Sequence, residues 1–141
     1  MQVDFNGNKM AFNLVRGNLR KEVASYFPGV SEEDITDGLV KYDPDTNTVA
    51  VDERASDSYA KYAAIHECIC CGPYEDLAPA TDSPNRRCGL IDKMLIQTMP
   101  ESERKAYKEK RIEMLKTLIE RKLNPPMEPA FLESIETLES L

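Results

Sequence analysis

Histidine is nearly absent from the chain: His66 is the only one, which excludes a metal centre built on two or three imidazoles. No apolar run approaches the ~20 residues that cross a bilayer, so a membrane span is excluded as well. Basic residues are few against acidic ones, 18 to 25, for a formal charge of −7 at pH 7. Nucleic-acid binding needs a basic face that displaces counterions. The one basic cluster, Arg104 to Arg111, is interleaved with glutamate and reads as the solvated side of a helix. Nucleic acid and membrane are therefore set aside as partners. Met1-Gln2-Val3-Asp4 lacks a basic segment followed by an apolar one, so no signal peptide is visible and a cytoplasmic location is expected. Internal repeats and low-complexity segments are missing too.

What is present suits one domain with a proper core in 141 residues. Val3 to Phe5, Asn6-Gly7 and Met10 to Leu14 predict a hairpin, since Asn-Gly is a favoured two-residue turn and Met10, Phe12 and Leu14 alternate. Asn18 caps a short helix bearing Leu19, Val23 and Phe27, stopped by Pro28-Gly29. Ser31 to Asp34 starts another helical turn. A second hairpin joins Leu39–Tyr42 to Thr48–Asp52 through Asp43-Pro44-Asp45-Thr46-Asn47. Helices then dominate. One runs from Ser56 or Asp57 to about Cys71, ended by Gly72-Pro73, and another covers Arg86 to Gln97. The longest opens on a capping box at Thr98-Met99-Pro100-Glu101 and extends to about Leu123, with Ile112, Leu115, Leu118, Ile119 and Leu123 on its buried side. Strands first and helices after predict an α+β fold. Residues 1–123 form the single compact domain. Residues 124–141 are an acidic tail in which Phe131, Leu132, Ile135 and Leu138 follow helical spacing, to dock on the body or to bind a partner.

The four cysteines are Cys68, Cys70, Cys71 and Cys88. Three crowd into one helical turn, unlike a disulfide framework, and in a reducing compartment thiols are catalytic, metal-bound or simply buried. On a helix, residues four apart lie nearly above one another. His66 and Cys70 therefore share a face at a spacing that lets both hold one ion. Cys68 falls on the far side and Cys71 well off the face, and both read as small buried residues.

His66-Glu67-Cys68-Ile69-Cys70 resembles the H-E-x-x-H helix of the zincin metallopeptidases, with Cys70 in place of the second histidine. The resemblance implies that His66 and Cys70 bind Zn²⁺ and that Glu67 activates the metal-bound water as general base for peptide hydrolysis. The strand Val49 to Glu53, just before the helix, is similar to the zincin edge strand, which holds an extended peptide by β-addition. In zincins a third ligand comes from a later helix about twenty positions on. Cys88 stands eighteen residues after Cys70 and is preferred as the stronger zinc ligand, with Asp92 one turn further and Glu75 or Asp76 in the loop as alternatives.

Other readings of the same helix stand beside this one. His66 can be a hydrogen-bonded core histidine among cysteines used as small apolar residues, with any metal site purely structural. The protein then acts by binding a partner protein, whereas the peptidase reading requires a peptide or protein substrate. Cys70 activated by His66 as a thiol nucleophile is disfavoured, because neighbours on one helix leave little room for substrate. Tyr62, one turn before His66, is a packing residue first and an oxyanion donor second.

Overall fold

Asn6 and Gly7 both take positive φ, 51° and 78°, the conformation a tight hairpin turn demands. They fold β1 (Gln2–Phe5) back on β2 (Asn8–Ala11) as an antiparallel pair with Val3 opposite Met10. The computed structural model describes all residues 1–141, and its architecture is α+β, as the order of elements predicts. The strand expected over Met10 to Leu14 breaks at Phe12. There the chain leaves β1 and begins β3 (Asn13–Gly17), which pairs in parallel with β5 (Thr48–Asp52). Phe12 is itself buried, its backbone exchanging hydrogen bonds with Met1.

The second hairpin forms as expected. β4 (Val40–Asp43) runs antiparallel to β5, giving the sheet order β3-β5-β4. Consequently β5 is the central strand, hydrogen-bonded on both sides, and not the edge strand open to β-addition that the resemblance implies. The parallel partner β3 is what closes that edge. Val49 and Val51 are fully buried, while the turn at Asn47 is pinned by its Nδ2 donating to Ala11 O at 2.9 Å. At the end of β5, Asp52 accepts from Arg20 Nε at 3.0 Å and from the Arg20 backbone N–H at 3.1 Å. Arg20 lies in α1 (Leu19–Ala24), capped by Asn18. The helix stops at Ala24, a turn short of Phe27, as the chain tightens into two i→i+3 bonds at Tyr26 and Phe27 before Gly29 at φ 85°.

α2 (Asp57–Cys70) begins where the Ser56 hydroxyl accepts from Tyr59 N–H at 3.1 Å. It is buried almost all round, with Ala60, Ala63, Ala64, Cys68 and Ile69 completely inside. A helix apolar on every face belongs in the middle of a core, and its alanines let the sheet, α3 (Arg87–Thr98) and α4 (Glu101–Glu120) approach closely. The capping box before α4 does not form. Thr98 Oγ1 donates back to Met94 O and Leu95 O in the last turn of α3 instead. α4 ends at Glu120, earlier than expected, and its buried residues are Tyr107, Arg111, Met114 and Leu115. The aliphatic stripe at Ile112, Leu118, Ile119 and Leu123 is only partly covered, because the helix turns Tyr107 and Arg111 inward to a buried acid. α5 (Glu128–Glu139) packs on α3 and α4 through Ala130, Ser134 and Leu138, leaving Leu132 exposed. None of the helices is long and apolar enough to cross a membrane.

Candidate metal centre

His66 sits at the core of the molecule because α2 does, with 2% of its surface exposed. Cys70 is one turn further on, the last residue of α2, and Cys88 is the second residue of α3. An imidazole nitrogen and the two sulfurs lie within 4.8 Å of one another, and the sulfurs are 3.4 Å apart. The residues singled out from spacing and ligand strength are thus brought together, and the three can hold a metal ion. Cys68 is fully buried behind them, as its helical angle requires. Cys71 is exposed, contrary to the expectation that it is buried: the helix has ended, and its backbone turns out at φ −124°.

The residue that sets the two segments in register is Arg87. Its Nη1 donates to Cys70 O at 2.7 Å and its Nη2 to Ile69 O at 3.2 Å, satisfying carbonyls at the C-terminus of α2. A cation there also complements the helix dipole.

Asp92, weighed as a ligand, takes another part. It is completely buried, and its Oδ1 meets His66 Nδ1 at 2.8 Å and accepts from Tyr107 Oη at 2.7 Å. Its Oδ2 accepts from Arg111 Nε at 3.1 Å. Burial alone would raise the Asp92 pKa, but Arg111 and His66 overcome it and hold the carboxyl well below the usual range. An ionised carboxylate can only accept, so Nδ1 of His66 bears hydrogen and Nε2 is the atom available to a metal. Burial opposes a charge on His66, yet Asp92, working against Arg111, raises its pKa to about 9, helped by the hydrogen bonds His66 makes to Asp92 and Cys88. Hydrogen bonding from Cys70 outweighs burial at Cys88 and lowers it to about 4, with His66 assisting. Cys70 is raised by its hydrogen bonds to Cys71 and Cys88. The shifts at His66 and Cys88 each favour the charged form, while Cys70 holds its proton more tightly.

Tyr107 and Arg111 are not legible as members of the site in the sequence. From the sequence Arg111 reads as part of a solvated face, yet it is 4% exposed with Nη2 3.4 Å from His66 Nε2. A tyrosine and an arginine one turn apart on a helix of modest apolar content were the only signal. Glu67 is half-buried on α2 and makes no side-chain hydrogen bond or ion pair, and it is outside the cluster of donors. Glu75 lies in the 3-10 turn Glu75–Leu77 with Asp76, also outside it. Tyr62 packs edge-on against Tyr107, ring centres 6.1 Å apart, in keeping with a packing role. The principal surface cavities lie at the β1–β2 hairpin, between α2 and α4, beside Arg20, and along α4, none lined by His66, Glu67, Cys70 or Cys88. Comparison with protein-family models, with curated proteins and with solved structures finds no match to this chain.

Proposed function

We propose that this is a zinc-binding protein in which His66 Nε2, Cys70 Sγ and Cys88 Sγ hold one Zn²⁺ and tie the end of α2 to the start of α3. The observation that carries the reading is the meeting of three zinc-competent donors from two helices within 4.8 Å. A tetrahedral zinc about 2.3 Å from each sulfur separates two thiolates by about 3.8 Å. The 3.4 Å sulfur separation comes within a few tenths of that before any ion is bound. Charge fits as well. Asp92 and Arg111 cancel one another, so two thiolates and a neutral imidazole balance a dication with no residual charge in the core. The Asp92 carboxylate on Nδ1 is the partner that a zinc-ligating histidine ordinarily has. Thiolates need a reducing compartment, consistent with the cytoplasm. In this form the protein acts by binding another protein, and zinc stabilises the fold.

Peptide hydrolysis with Glu67 as base is the second reading. Its support is that three protein donors leave a fourth tetrahedral position for water. Glu67 and the central position of β5 give it no further support.

Metal analysis of protein purified without added zinc tests the first reading, beside His66→Ala and Cys88→Ser. One zinc per chain in the wild type and loss in both variants is expected; a wild type without metal, which also fails to take up added zinc, sinks it. Glu67→Gln then separates the two readings. A wild type that cleaves peptides and a metal-loaded variant that does not would establish hydrolysis, and a wild type inert towards varied peptides removes it.

A further inference from the structure

Cys70 and Cys88 are placed to do something that a metal does not require. Their sulfurs touch at 3.4 Å, while a disulfide needs about 2.05 Å, so a small side-chain adjustment closes the bond. The backbones are already clamped together, because Arg87, the residue before Cys88, donates to the carbonyls of Ile69 and Cys70. Both thiols are half-buried and so open to a small oxidant, whereas Cys68 is sealed in the core. Cys71 is exposed, but a bond to its neighbour Cys70 would close a strained vicinal ring.

We propose that Cys70 and Cys88 form a reversible redox pair, closed to a disulfide by a hydroperoxide, and that closure and metal binding exclude one another. The second half rests on the zinc reading; the first does not. One thiolate attacks the peroxide: an S–O bond forms, the O–O bond breaks, and hydroxide departs and takes a proton as water. The other thiol attacks the resulting sulfenic sulfur: an S–S bond forms, the S–O bond breaks, and hydroxide leaves as water with the thiol's proton. Two sulfurs lose two electrons, and hydrogen peroxide becomes two waters. A disulfide sulfur has no charge to offer a zinc ion, so the closed form keeps His66 alone as donor and releases the metal.

Trypsin separates the partners, with Cys88 in residues 88–93 and the other three cysteines in residues 62–86. The full-length protein, metal-free and zinc-loaded, is treated with hydrogen peroxide, alkylated, digested and weighed without reduction, while a zinc indicator follows the loaded sample. The expected result is a linked pair of these peptides two hydrogens lighter than their sum, cleaved by dithiothreitol. Cys71→Ser should still link, and Cys70→Ser should not. In the loaded protein, one zinc should leave per link formed. An unlinked 88–93 peptide in the metal-free wild type, or a link lost in Cys71→Ser and kept in Cys70→Ser, overturns the pairing. Zinc that stays bound while the link forms overturns the exclusion. A protein that never binds zinc removes the exclusion together with the zinc reading, and a link in that protein still supports the redox pair.

Discussion

His66 Nδ1 and Asp92 Oδ1 lie 2.8 Å apart in a core where both residues are buried. One acid thus orients the imidazole and compensates Arg111, its Oδ2 accepting from Arg111 Nε at 3.1 Å. Asp92→Asn keeps the shape and removes the charge, leaving a buried guanidinium unpaired. Breaking one side of a buried ion pair typically costs about 3–5 kcal/mol, and loss of a histidine's outer partner weakens metal binding about 10- to 100-fold. Both are expected here, by urea unfolding and by competition with a zinc chelator. Tyr107→Phe, which deletes a single hydrogen bond to the same carboxylate, should cost less, about 1–3 kcal/mol. An Asp92→Asn protein as stable as the wild type would show that the network does not hold the core.

The pH profile of the reduced, metal-free protein follows from two opposed shifts. His66 is raised from 6.5 to about 9, so its contribution is complete below pH 6.5 and disappears as pH rises through 9. Cys88 is lowered from 9.0 to about 4, so its contribution is complete above pH 9 and disappears as pH falls through 4. Between 6.5 and 9 one rises as the other falls, and stability should be nearly flat. Below 6.5 His66 no longer contributes, and stability should drop with falling pH through Cys88, by up to about 1.4 kcal/mol per unit. Cys88→Ser should remove that drop and expose the decline belonging to His66 above pH 6.5. Urea unfolding in chelator and reductant across pH 4 to 9 measures it; a wild type that climbs steadily from 6.5 to 9 contradicts the paired titration.

A second buried ion pair, far from the cysteines, anchors the sheet. Arg20 is 3% exposed, and Asp52 takes its side chain and its backbone N–H. Asp52→Ala would strand the guanidinium and also release Arg54 N–H, which donates to Asp52 Oδ1 at 3.0 Å. A loss of about 3–5 kcal/mol is expected, with zinc stoichiometry unchanged at a temperature where the variant is folded. Loss of zinc from the folded variant would mean that the sheet and the centre are coupled more tightly than their separation implies.

The donors of the centre were legible because helical geometry is local. His66 and Cys70 follow from a four-residue spacing, and Cys88 from ligand chemistry once Gly72-Pro73 had ended the helix. What was not legible depends on partners distant in the chain. The central position of β5 rests on β3, thirty-odd residues earlier, and nothing in Asn13–Gly17 marks it as a parallel partner. Arg111 reads as a surface residue until Asp92, nineteen positions away, is placed beside it. The capping box failed for a related reason: the Thr98 hydroxyl had a competing pair of carbonyls one turn behind it.

Two glycines test how closely the helices are packed around the centre. A Cβ on Gly72 would lie 2.8 Å from Cys68 O and 2.9 Å from Cys68 Cα, backbone atoms that cannot move without displacing the end of α2. A Cβ on Gly89 would meet Ser134 Cα and Thr137 Oγ1 at 3.1 Å, a contact that α5 can relieve by shifting a few tenths of an ångström. Overpacking a core costs about 1–3 kcal/mol. Gly72→Ala should fall at the upper end and also weaken zinc binding, because Cys70 moves with the helix end. Gly89→Ala should fall at the lower end and leave zinc affinity within about threefold of the wild type, as its clash is with α5. Thermal unfolding and zinc competition rank the two, and the reverse order would mean that α5 is held more rigidly than the end of α2.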